Sequence, residues 1–149
     1  MSADRLIASH LRLAAEALDA ARILRSIGNR YAVYQAEQAV EQLILALAQS
    51  ENIAFSRSQQ HQLETMRRTL PEHNTFRQAL ADLTWLEAYA TTCRYPKTMG
   101  GLAEPPSIAK LQDAIAAAGQ VTDGVAQHFG VDLNPASKTP ASHVRPPRA

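Results

Sequence analysis

The chain has a single cysteine, Cys93, in 149 residues. One thiol closes no internal disulfide and holds no structural zinc by itself, which excludes a disulfide-stapled scaffold and fits a reducing compartment. No apolar run approaches the ~18 residues that cross a bilayer, and the first residues lack the basic-then-apolar layout of a secretory signal. A soluble, cytoplasmic protein with no membrane attachment is expected. A formal charge of +1 leaves no net field to draw the whole molecule onto nucleic acid or anionic lipid. No segment alternates apolar and polar residues over a useful strand length, and no internal repeat is present. Gly100-Gly101 lacks both the strand before and the Lys-Ser/Thr after that make a phosphate loop, and no serine nucleophile elbow occurs. The histidines at 10, 61, 73, 128 and 143 include no i, i+4 pair and have no second cysteine to join them. Neither a metal site nor a cofactor is expected.

Helical periodicity is what the chain does have. Hydrophobic residues make up 46% and charged ones 19%, an ordinary soluble composition in a length that suits one domain. The segment Asn29–Ser50 organises the rest. Val33, Ala36, Val40, Leu43 and Leu47 step by three and four along one helix face, while Tyr31, Tyr34, Glu37, Gln38, Glu41 and Gln42 take the others. A preceding helix from about Asp4 to Ile27 carries two stripes. One is Ile7, Leu11, Ala14, Leu18 and Ala21; the second is Leu6, Leu13, Ala17, Ala20, Leu24 and Ile27. So wide an apolar arc predicts either a central place in the bundle or a second subunit against it.

Gly28 and Asn29 are a helix stop followed by an N-cap, so the first two helices form an antiparallel hairpin. Ser56 with Gln59 fits a capping box opening a short third helix faced by Leu63, Met66 and Leu70 and stopped by Pro71. Asn74 caps a fourth, with Phe76, Ala79, Leu80, Leu83, Leu86 and Ala90 buried. Prolines and glycines preclude a continuous helix between Thr91 and Ser107. Ser107 then caps a fifth, in which Ile108, Leu111, Ile115, Ala118, Val125 and Phe129 form the seam around polar Thr122. Beyond Gly130 the chain turns rich in proline and small polar residues. The expected architecture is all-α, an up-and-down bundle of four or five helices over residues 1–129, with a disordered tail over 130–149. That tail holds Lys138, Arg145 and Arg148 against Asp132 alone, a slight attraction to polyanions.

Two constellations bear on chemistry. Glu37 and Glu41 lie one turn apart, but no glutamate has the histidine three positions on that di-iron bundles use. Solvated surface carboxylates are the expectation. Arg94-Tyr95-Pro96 is a rigid corner with a fork-shaped donor suited to phosphate. Taken alone it reads more readily as a helix end, the cation near the negative pole and proline halting the helix. Cys93 beside it reads as a small apolar filler.

Three motifs in order resemble the HEPN family of small helical domains: Tyr34-Gln35-Ala36-Glu37-Gln38-Ala39-Val40-Glu41-Gln42, His61-Gln62-Leu63, and Arg94-Tyr95-Pro96. The likeness spans about residues 3–129. Glu37, Gln42 and Lys97 depart from the family's glutamine, lysine and acid. The resemblance implies a homodimer with a cleft near its seam. Many members are metal-independent ribonucleases, using an arginine followed four to six residues later by a histidine near the last main helix. No histidine follows Arg94 in that range; Arg5 with His10, and Arg67 and Arg68 with His73, match the spacing in the wrong places and at a chance rate. The chain therefore resembles the non-catalytic branch, which is often paired with a nucleotidyltransferase in toxin–antitoxin-like modules and binds nucleotide or RNA. In that picture no residue is catalytic. Arg94 contacts phosphate, Tyr95 stacks or packs, His61 faces the same cleft, Gln38 and Glu41 line it or brace Arg94, and Tyr34 is a further ligand-binding residue. An Arg94–Glu41 pair inside the bundle is the structural alternative. The functional alternatives are a ribonuclease using His61 and a protein-interaction module docking through the first helix.

Overall fold

A computed structural model describes residues 2–134, with side chains from residue 4 onward. Among the described residues the elements are α1 Ser2–Ser26, α2 Tyr31–Ser50, α3 Leu63–Thr69, a 3-10 helix Ala81–Ala88, α4 Tyr89–Thr92 and α5 Ile108–Phe129, with no strand. The all-α bundle is thus the observed class, and among the described residues no helix is long and apolar enough to cross a membrane. The expected disordered tail lies, from residue 135 onward, outside the described residues.

The α1–α2 hairpin forms for the reasons expected. Gly28 adopts φ 69°, a left-handed conformation that costs glycine little. Its amide then bonds to Arg25 O and that of Asn29 to Leu24 O, closing the end of α1. The Asn29 side chain accepts from the Tyr31 amide at 2.9 Å and starts α2. Every residue of the α2 seam is buried, and so are Ala32, Ala39, Ile44, Ala46 and Ala48. An apolar surface this broad belongs to a central helix, and α2 touches each of the other helices. Full burial of a leucine such as Leu43 or Leu47 contributes about 1.5–3 kcal/mol.

Helix α1 packs on α2 and α5 chiefly through its first stripe, with Ala17 and Leu24 of the second partly buried against the core. Ile7, Leu11, Ala14, Leu18 and Ala21 are buried, whereas Leu6, Leu13 and Ile27 of the second stripe remain 44%, 49% and 70% exposed. The central placement is therefore not the one adopted, and part of the second stripe is uncovered within one chain. Helix α5 opens on Ser107, whose side chain accepts from the Lys110 amide at 3.1 Å. Thr122 sits in the core with its hydroxyl donated to Ala118 O at 2.7 Å, which meets its only donor. Past Gly130, Val131 and Leu133 still pack against the core, so the ordered body runs a few residues beyond the boundary expected at 129.

The middle of the chain departs most from expectation. Gln59 Oε1 accepts from the Ser56 amide at 3.0 Å, but the box closes a turn, and the helix begins later at Leu63. The expected fourth α-helix is a run of turns after Asn74, then the 3-10 helix, then the single turn of α4. Leu80, Leu83 and Leu86 recur every third residue, the spacing that a 3-10 winding stacks on one face. All three are buried, while Ala79 turns outward instead of into the core. Ile108, expected in the α5 seam, is 74% exposed because it precedes the first turn that meets the bundle.

Candidate functional site

The site grows from one face of α2. Tyr34, Glu37, Gln38 and Glu41 project there, His61 arrives from the turn before α3, and Arg94 from the end of α4. Of the residues expected at the cleft, Gln38, Glu41 and His61 form one hydrogen-bonded group, and Arg94 lies with Tyr34 and Tyr95 in another. Glu37 was expected in solvent, yet it is 0% exposed and Glu41 5%. This corrects the surface reading of both carboxylates. The signal that could have found it is Ile44 seven positions after Glu37 and Ala48 seven after Glu41, apolar residues on the same face of an almost wholly buried helix.

Burial pushes the Glu37 carboxyl up to about 7, since a low-polarity surround disfavours the charged form. The Gln38 amide opposes this, the charge of Glu41 adds to it, and His61 and Arg94 oppose it in turn. Burial also raises Glu41, against the charge and hydrogen bond of His61 and the amide of Gln38. Gln38 Nε2 donates to Glu37 Oε2 at 2.7 Å and reaches Glu41 Oε2 at 3.5 Å. His61 Nδ1 lies 3.0 Å from Glu41 Oε2, with the imidazole 59% exposed. Glu37 Oε1 is buried with no hydrogen-bond partner.

Arg94 does not pair with Glu41, which removes the structural alternative; His61 holds that carboxylate instead. The Arg94 guanidinium lies 5.7 Å from the ring centroids of both Tyr34 and Tyr95, within cation–π range. Its Nε donates to Ala90 O at 3.0 Å, so one nitrogen ties down the helix end as the capping reading requires. Among the described residues no hydrogen-bond or ion-pair partner occupies its two terminal nitrogens, and the residue is exposed. The helix-end reading of Arg94 thus accounts for Nε alone. Tyr95 is 61% exposed. Cys93 is half-buried beside this corner and burial pushes its thiol up, which suits packing better than nucleophilic chemistry.

Tyr34 and Gln38 also line an open groove of about 410 Å³ with Gln35, Gln42 and, from α1, Leu13, Glu16 and Ala17. That volume is in the range of small-ligand sites, ~300–1,000 Å³, and the groove borders the uncovered stripe of α1. A second, more apolar pocket at the α1–α2 turn, lined by Arg25, Val33, Pro105 and Leu111 among others, shares none of the site residues.

No curated protein and no solved structure matches this chain. The family model described as HEPN domain matches residues 7–127.

Proposed function

The chain belongs to the HEPN domain family, and from that premise we propose that it is a non-catalytic member that binds a nucleotide or RNA at Arg94. The observation that carries the reading is an exposed guanidinium with its terminal nitrogens free, set between two tyrosine rings. A fork of N–H donors suits phosphate oxygens, and tyrosine faces offer stacking surface for bases, worth about 1–3 kcal/mol per base. Gln38, Glu41 and His61 supply polar groups on the neighbouring wall. The absence of a histidine four to six residues after Arg94 supports binding over cleavage.

The protein acts as a homodimer in this reading. Support comes from the unpartnered stripe of Leu6, Leu13 and Ile27, which lies beside the groove, so a second copy would border the site. A cytoplasmic nucleotidyltransferase, in a toxin–antitoxin-like module, is the partner that the family suggests.

Titration of a fluorescein-labelled oligoribonucleotide, with ATP in parallel, tests the assignment. Arg94→Ala is expected to weaken binding about 10- to 100-fold, the worth of one or two charge-assisted hydrogen bonds, with the thermal midpoint held within a few degrees. An Arg94→Ala protein that binds as the wild type does, or that unfolds, contradicts the proposal. Incubation with total RNA in EDTA is expected to leave the RNA intact; cleavage would overturn the non-catalytic assignment.

A further inference from the structure

We propose that Glu37, Glu41 and His61 form a binding site for a first-row divalent cation of the Zn2+ class. One carboxylate oxygen from each glutamate and one imidazole nitrogen lie within 4.8 Å of one another. Glu37 and Glu41 are i, i+4 on α2, the spacing that points two ligands of one helix at a single ion. His61 comes from a different element, so the three donors converge from two sides.

Burial separates this cluster from the acidic groups common on protein surfaces. The Glu37 side chain is 0% exposed, and its Oε1 has no hydrogen-bond partner. A buried, unpartnered oxygen costs about 1–3 kcal/mol, and a cation beside it would remove that cost. Of the two carboxylates packed out of water, Glu41 meets only the His61 imidazole, and among the described residues Glu37 has no ion-pair partner at contact distance. An ion of charge +2 supplies the countercharge.

The distances need little adjustment. Ligand atoms around a four-coordinate ion with bonds of ~2.0–2.1 Å stand about 3.3 Å apart. His61 Nδ1 and Glu41 Oε2 are already at 3.0 Å, and the Glu37 oxygen lies within 4.8 Å of both. Gln38 Nε2, bonded to Glu37 at 2.7 Å, is placed to orient the carboxylates as outer hydrogen-bond partners do. Three protein ligands leave a fourth position for water or an anion, reached along the exposed edge of His61. Imidazole with carboxylate favours zinc and its neighbours over magnesium, which prefers an all-oxygen shell.

The site needs no nucleotide, so its test can be separated from that of Arg94. Chelator-stripped full-length protein is dialysed against Zn2+ without nucleotide, and bound metal is counted by mass spectrometry. One ion per chain is expected, with Glu37→Gln and His61→Ala each weakening binding about tenfold or more. His61→Ala is the secure variant, because so exposed a side chain can be removed without opening the core. His73→Ala and His128→Ala, at exposed imidazoles outside the cluster, are expected to bind as the wild type does. Co2+ in place of Zn2+ should give visible ligand-field bands that His61→Ala abolishes. Two results would overturn the site: no saturable binding below about 1 mM, or binding that survives His61→Ala and falls in the control variants.

Discussion

On α3, Glu64 lies one turn before Arg67 and Arg68, bonds to both guanidiniums at 2.7 and 2.8 Å, and keeps 37% of its side chain in solvent. The hydrogen bonds from Arg67 above all hold its carboxyl down to about 2. On α2, Glu37 and Glu41 share the same one-turn spacing, but they face the inside of the bundle with an amide and an imidazole for company. Burial there lifts Glu37 to about 7. Helical spacing decides which side chains meet; what the rest of the fold lays over them decides their charge. The first cluster is a solvated ladder that any helix surface can carry. The second stores unfavourable free energy, and such groups concentrate where proteins bind or react.

The largest expected effect is a pH dependence at the buried cluster. With its folded pKa raised from 4.5 to about 7, Glu37 contributes stability in full below about 4.5, and that contribution is lost as pH rises through about 7. The loss amounts to roughly 3 kcal/mol by linkage. Urea unfolding in the presence of a chelator should show the wild type less stable at pH 8 than at pH 5, and Glu37→Gln should largely flatten the difference. A wild type with no such slope would break the contrast between the two clusters.

A smaller effect is expected at the open side of the groove. In the proposed homodimer, Leu13→Glu places a charge in the exposed part of the α1 stripe and should weaken self-association by about 2 kcal/mol, shifting sedimentation toward a monomer while the fold is kept. An unchanged sedimentation coefficient would remove α1 from the interface. The smallest effect belongs to Glu64. Its folded pKa is depressed, so its contribution is present above about 4.5 and lost as pH falls through about 2. Solvent screening keeps that contribution below about 1 kcal/mol. Glu64→Gln should barely move the thermal midpoint at pH 7, and high salt should erase what movement there is. A loss as large as that of a core substitution would sharpen the comparison the other way, making the ladder structural.

Much of the bundle is legible in the sequence because its signals are local. The three-and-four steps from Val33 to Leu47 identify the core face of α2, and Gly28-Asn29, Ser107 and Gly130 mark where helices stop and start. The segment from Asn74 to Thr92 is not, since leucines every third residue suit an α-helix edge and a 3-10 stack alike, and long-range packing decides between them. The same distinction runs through the site. His61, Gln38, Glu41 and Arg94 are singled out as candidates by motif order. The burial of Glu37 depends on segments distant in sequence that cover α2, and the seat of Arg94 over Tyr34 depends on where α4 ends. Neither is written in the spacing.

The most direct test compares two arginines of opposite circumstance in one experiment: oligoribonucleotide affinity for Arg94→Ala and for Arg68→Ala, whose guanidinium is committed to Glu64 at 2.8 Å. Binding should fall about 10- to 100-fold at Arg94 and stay near the wild-type value at Arg68. Equal losses at both positions, or none at Arg94, would mean that the protein attracts RNA through general surface charge or not at all.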